Sequence, residues 1–327
     1  MNHRAFATLF VAIALLLWTP PALAGQPPDA ARGTWSPPVT PWGHPDLQGT
    51  WSNASTTPLE RPADLAGKAV LTDEERAARN LTAGLSDDRP SGDPVGFYND
   101  YWLEQGELSQ RTSLIVDPED GRLPPTTTVE QQLQSTRMSS GSAIAGLRFT
   151  SWEDFNALDR CITRGLPGAM MPGVFYNHNY LIVQTPDYVA IVIEMVHDVR
   201  IIPLRERPAL PSGMRQWLGA SRGRWEGNTL VVESANFTDK IRQRGGTVLS
   251  GGESTRLVER FTRVDADTID YRVTVTDPTV WDGQWTAAAP MTATPGPLFE
   301  YACHEGNYAI PNALRGSRAA EQEETSK

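Results

Sequence analysis

Residues 188–204, YVAIVIEMVHDVRIIPL, are the most apolar stretch of the chain beyond its leader, yet Glu194, His197, Asp198 and Arg200 interrupt them. Apolar β-branched runs make sheet, and sheet interiors exclude charge unless it is paired or used. A histidine whose tautomer is fixed by a carboxylate can take and return a proton near neutral pH. His197 therefore reads as a proton-transfer group, with Glu194 or Asp198 as its orienter and Arg200 as the stabiliser of a developing anion. The same residues also read structurally: His197 as a hydrogen-bonded core residue, Asp198 and Arg200 as a cross-strand ion pair. If the run stays extended, alternation puts His197 with Val189, Ile191, Ile193, Val199 and Ile201, and puts Glu194, Asp198 and Arg200 on the opposite face. A bend near Val196 is equally consistent, because the run is long for one strand.

Two further clusters carry polar chemistry. In 300–307, EYACHEGN, a strand would place Glu300 and His304 on one face, with His304 as a second acid/base beside a pinned Cys303, or the cluster forms a structural corner. In 176–180, YNHNY, Asn177, Asn179 and Tyr180 offer neutral hydrogen-bonding groups that orient a small molecule, or serve as turn residues. His178, His197 and His304 lack HxH or HExxH spacing, so no metal is assigned. No GxSxG, P-loop or GxGxxG before a helix occurs, so no cofactor is assigned either. The chemistry that remains is cofactor-free acid/base work of the isomerase, lyase or hydrolase kind. The only cysteines, Cys161 and Cys303, are not in CxxC spacing and read as one disulfide, the alternative being two buried free thiols.

The compartment follows from the first residues. Arg4, an apolar run over 5–18, Pro20-Pro21 and Ala22-Leu23-Ala24 before Gly25 have the pattern of a secretory signal peptide cleaved after Ala24. The expectation is a periplasmic or secreted protein, with no later run reaching the ~20 apolar residues that a membrane span needs. Net charge is −10, an acidity that argues against nucleic acid or an anionic membrane surface as partner and by itself identifies none. The expected partner is a small-molecule ligand or substrate, on the grounds of the polar clusters above.

The elements that must position these residues divide at Cys161. Residues 25–160 predict an irregular and helical region: a helix over 71–81 opened by a Thr72/Glu75 capping box, an aromatic turn over 98–106, and a hairpin over 112–124. Short helices are predicted over 129–138 and 151–159, the second with a Ser151/Asp154 box. From 161 to 316 the pattern turns to strands at 8–12-residue spacing: 180–185, 188 onward, 222–225 with 229–237, 256–264 with 268–276, 284–294 and 298–304. That spacing predicts a mainly β protein, an antiparallel meander closing as a barrel or sandwich. Gly245-Gly246 and Gly251-Gly252 mark a lid or a long hairpin connection, and the polar tail from Ser317 to residue 327 is expected to be disordered.

The segments PDLQGTWS (45–52), RTSLIVDPEDGRLP (111–124), EMVHDVRIIPL (194–204), RQWLGASRGRWEGNTLVVESANF (215–237), LVERFTRVDADTIDYRVTVTDPTVW (257–281) and YACHEGNY (301–308) resemble a large family of uncharacterised exported bacterial proteins. The resemblance implies a shared fold and export, and implies no reaction. Its members carry Asn-Asn-Tyr where this chain has Asn177-His178-Asn179-Tyr180, which argues against an essential His178. Gly49-x-Trp51 resembles the start of lipocalin barrels, which implies a lipocalin-like β part. The expectation is an exported enzyme acting on a small, largely apolar molecule in a barrel cavity. The alternative is a non-catalytic lipocalin-like carrier using the same lumen. A structural envelope protein is a third reading, favoured by an interior filled with side chains.

Overall fold

The computed structural model describes residues 35–85, 104, 106–128, 131, 149–155, 157–164, 176–241 and 252–326. The signal peptide expected over 1–24, Gly245-Gly246 and nearly all of the turn expected over 98–106 and the helix expected over 129–138 lie outside them. The chain divides into Met1–Trp35 and a compact unit, Ser36–Lys327, to which every element below belongs.

The protein is mainly β. An antiparallel sheet nearly closes into a barrel, with strands β1 (Gly49–Ser52), β2 (Ile115–Asp117), β3 (Asn179–Gln184), β4 (Tyr188–Ile193), β5 (Val199–Pro203), β6 (Ala220–Glu226), β7 (Thr229–Ala235), β8 (Arg256–Arg263), β9 (Thr268–Thr276), β10 (Trp285–Ala288) and β11 (Met291–Ala293). Period-two alternation drives it. In β9 Ile269, Tyr271, Val273 and Val275 are buried, while Thr268, Asp270, Arg272 and Thr274 lie on the outer face.

The strand path runs β5-β4-β3-β1-β11-β9-β8-β7-β6, with β10 pairing β9 and β2. The meander is broken once, by β1, which inserts between β3 and β11 with Trp51 opposite both Tyr180 and Ala293. Residues 25–160 are therefore more than a cap packed on the barrel, because they supply two of its strands. The path ends at β5 and β6, whose free edges face each other across a seam. Gly223 closes its lower part: a Cβ there would lie 2.9 Å from both Ile202 Cγ2 and Leu204 Cδ2. Above Gly223 the seam opens.

The interior is filled. Trp51, Trp285, Tyr180, Tyr271, Phe261, Ile182 and Ile191 are all essentially inaccessible, as interiors at crystal-like density require. At the end away from residues 194–198, Leu47 plugs the barrel. Its N–H donates to Gln184 Oε1 at 2.6 Å, and its carbonyl accepts from Trp51 Nε1 at 2.9 Å. The Arg263 guanidinium covers the Trp51 ring at 5.3 Å and donates to the Asp46 carbonyl at 2.9 Å.

Helix α1 (Asp73–Leu85) begins at the predicted capping box: Thr72 Oγ1 accepts from Glu75 N–H at 3.2 Å, and Glu75 Oε2 accepts from Thr72 N–H at 2.8 Å. The Ser151/Asp154 box also forms, around a single 3-10 turn, Trp152–Asp154. Three expectations differ. The hairpin over 112–124 keeps only its first strand, since the chain turns over Pro118–Gly121 and pairs its next residues with loops. Residues 298–304 form no strand: Phe299 N–H is taken by the Glu194 carboxylate, and the chain then closes tight turns from Cys303 N–H to the Tyr301 carbonyl and from Glu305 N–H to the Ala302 carbonyl, so Glu300 and His304 do not share a strand face. The tail is helix rather than disordered: α2 (Ala309–Thr325) runs through Ala, Arg, Glu and Gln, all good helix formers, and buried Ser317 accepts from Phe149 N–H at 2.8 Å.

Candidate functional site

The apolar run is bent rather than straight. Between β4 and β5 the chain makes a tight corner, Met195–His197 forming one 3-10 turn, closed by Ile193 N–H donating to the Asp198 carbonyl at 2.8 Å. The corner forces Val196 to φ 63° and His197 to φ 48°, left-handed values that a β-branched residue rarely adopts. Such positions cost of order 1–3 kcal/mol and persist where surroundings over-determine them. The five non-glycine positive-φ residues described are Cys161, Asn177, Val196, His197 and Asn236. All five border the same end of the barrel.

The corner also shifts the alternation by one. Ile191 and Ile193 point inward, and after the turn Arg200 and Ile202 point inward, leaving Val199 and Ile201 exposed. The partition of an extended run, with Arg200 and Asp198 on one face, does not hold; the bend near Val196 is the alternative that forms. Arg200 is buried and paired: its Nη1 donates to Glu259 Oε1 at 2.8 Å, its Nη2 to Glu259 Oε2, and Tyr271 Oη donates to Glu259 Oε1 at 3.0 Å. Ser221 and Ser234, whose hydroxyls are 2.7 Å from each other, each accept from Arg200 Nη2 at 3.5 Å. Burial would lower the Arg200 pKa, but the Glu259 charge and its hydrogen bonds outweigh it and hold the value up. Burial, reinforced by the charge of Glu259, pushes the Tyr271 hydroxyl well above its ordinary range. A buried pair of this kind fixes geometry more than it stabilises, and removing one partner typically costs about 3–5 kcal/mol. Arg200 thus forms no ion pair with Asp198, and its charge is committed away from a developing anion.

Above this network the seam opens into a cleft of ≈ 290 Å³, bordered by Asp198, Val199, Arg200 and Ile201 on one side and by Gln216, Trp217, Leu218, Gly219 and Ser221 on the other. Asp198 is half-buried on its rim. Burial raises its pKa, against the opposing pull of the Val199 N–H, His197 and Arg200. Trp217 is braced from behind by Arg160, 5.8 Å from its ring and 4.3 Å from that of Trp152.

His197 is exposed next to Asp198, and the His304 ring centroid lies 6.5 Å from that of His197, the planes tilted by 38°. At that spacing the two imidazoles are neighbours that can both reach one reacting group placed beside them. Cys161 and Cys303 hold His304 there, bonded across 142 positions with Cα atoms 5.7 Å apart. Asn307 ties the same two loops, its Nδ2 donating to the Asp159 carbonyl at 3.2 Å.

The remaining expected site residues do not line the cleft. Glu194 is buried, and its carboxylate accepts from Asn179 Nδ2 at 2.7 Å and Phe299 N–H at 2.9 Å. It orders the His197 corner and the 299–304 loop instead of orienting an imidazole. The Asn177 and His178 N–H groups donate to the two oxygens of Glu104, at 2.8 and 3.0 Å. Tyr180 is a core residue inside the barrel, its hydroxyl 3.1 Å from Asn53 Oδ1, and burial raises its pKa. Glu300 is exposed on the 294–304 loop.

Sequence reasoning missed Glu259, Tyr271, Ser221, Ser234 and Trp217. Glu259 had a usable signal: in Leu257-x-Glu259-x-Phe261 a charge occupies an inward position between two core residues. Trp217, outside the regular strands, had none. Among the described residues no cluster of three or more His, Cys, Asp or Glu could hold a metal, and no helix is long and apolar enough to cross a membrane. No protein-family model matches the chain, and no curated protein or solved structure is detectably similar to it.

Proposed function

We propose that the protein is an exported enzyme performing cofactor-free acid/base chemistry on a small molecule at the mouth of the seam cleft. The observation that carries this is the pairing of His197 and His304, 6.5 Å between ring centroids, beside an Asp198 whose carboxyl burial holds toward its protonated form. Two imidazoles on separate, braced loops, with a carboxyl of raised pKa at their side, supply a proton donor and a proton acceptor to one reacting group. The packed interior argues against the lumen that a lipocalin-like carrier would use. A cleft at the seam, with strained backbone at its rim, goes beyond what a purely structural protein requires.

The test uses two generic probes. Solvent deuterium wash-in from D₂O into 2-decanone reports proton abstraction, and hydrolysis of p-nitrophenyl butyrate reports acyl transfer. Wild-type protein is expected to accelerate one of them, with His197→Ala and His304→Ala each reducing the rate about 10²-fold or more, the usual contribution of a general acid or base. Inert wild-type protein, or equal rates in wild type and both variants, overturns the reading.

A further inference from the structure

The chain's most apolar run is apolar on both faces, and only the inner one is accounted for by the barrel core. The register Leu181↔Val192↔Val199 forms one outward row across β3, β4 and β5, and Val183↔Ala190↔Ile201 forms the next. The two rows carry no polar side chain. On them Ile201 is 64% exposed, Val199 46% and Val183 41%. Isolated exposed aliphatics are ordinary, but two adjacent rows across three strands make a contiguous patch of the sort that marks a binding surface.

Its position gives it meaning. Val199 and Ile201 belong at once to this patch and to the wall of the cleft, with Leu218 and braced Trp217 opposite. The apolar surface therefore runs without a break from the outer sheet to Asp198 at the rim. Charge at the polar end is matched: Arg200 is neutralised by Glu259, and burial at the rim favours the neutral form of Asp198. A ligand with a full charge of either sign would bring an unpaired charge to a locally neutral, half-buried site.

Resting on the acid/base reading above, we infer that the ligand is a small amphiphile with an uncharged, oxygen-bearing head placed among His197, Asp198 and His304 and an aliphatic tail lying along Val199, Ile201 and Leu218. A carbonyl or hydroxyl head would accept from or donate to Asp198 and the imidazoles. The tail would bury the surface that β5 leaves to solvent.

Isothermal titration of the full protein with 2-decanone, 1-decanol, decanoate and decylamine, each below its aggregation limit, tests this. The neutral pair is expected to bind, and decanoate and decylamine at least about tenfold more weakly. Ile201→Asp and Val199→Ser should each weaken 2-decanone binding, the former by roughly tenfold or more. Val70→Asp, at an exposed aliphatic beside α1, should leave binding unchanged. Equal affinity for all four probes, preference for decanoate or decylamine, or indifference to both seam variants overturns the inference. His197→Ala separates the two claims, since it should cut whichever rate the wild type shows, deuterium wash-in or ester hydrolysis, about 10²-fold while 2-decanone still binds. If binding follows the seam variants but turnover ignores His197, the amphiphile site stands and the enzyme reading falls.

Discussion

Asp198 and Arg200 stand two residues apart and take opposite solutions to being charged in an apolar strand. Arg200 turns inward and is matched by a bidentate carboxylate, while Asp198 stays at the rim with a backbone N–H as its hydrogen-bond donor. The consequence can be measured. Because burial raises the folded-state pKa of Asp198 above its unfolded value, the folded protein binds that proton more tightly than the unfolded chain. The associated stability is full below the ordinary carboxylate range and is lost as pH rises through the elevated folded value. Asp198→Asn, which cannot ionise, should therefore melt slightly higher than wild type at pH 7, with the difference vanishing near pH 3. If the acid/base reading holds, the same variant loses turnover. Thermal melts at the two pH values check the first half, and an Asp198→Asn protein less stable than wild type at pH 7 counts against the raised carboxyl.

The residue scale is also where the sequence was hardest to read. His197, His304 and Asp198 announce themselves as ionisable groups in unusual company, and the structure brings the three to one end of the barrel. Glu194, Arg200 and Tyr180 look the same in sequence, yet each is consumed by a partner far along the chain: Phe299, Glu259 and Asn53 respectively. Alternation says which face a side chain takes only while the strand is regular. One 3-10 turn at Met195–His197 inverts every assignment after it, and no propensity signals a valine at positive φ.

At the scale of elements, the strands and their hairpins were legible because period-two burial and turn chemistry are local. β6 with β7 and β8 with β9 fall within a few residues of the pattern. What was not legible is which strands meet without adjacency. The seam exists because β5 and β6 end the path unpaired, and Gly223 sets how closely they approach. Gly223→Val would drive its side chain into Ile202 and Leu204. Overpacking of this kind should cost about 1–3 kcal/mol in urea unfolding and should widen the seam, raising hydrogen exchange at the β5 amides over wild type. Unchanged exchange in β5 would mean that Gly223 does not gate the seam.

For the whole molecule, the single bridge Cys161–Cys303 joins the loop before β3 to the loop before α2. Loop-closure entropy over 142 positions corresponds to roughly 4–5 kcal/mol. Cys161→Ser with Cys303→Ser should lower stability by about that amount and loosen His304 relative to His197. Equilibrium unfolding in urea, with imidazole proton shifts followed by NMR, reads both. Stability within about 1 kcal/mol of wild type would show that the bridge constrains little beyond what Asn307 and the core already fix.

The insertion of β1 has a bearing on time as well as on shape. Ser52 pairs with both Asn179 and Thr292, so a strand made early waits for partners translated much later, its second edge for residues 240 positions further on. Contacts of such long range delay closure and leave strand edges open in the interim. A nascent chain of this protein is thus an unclosed sheet with an unfilled slot, and the step that finishes the barrel is the arrival of its last strands beside its first.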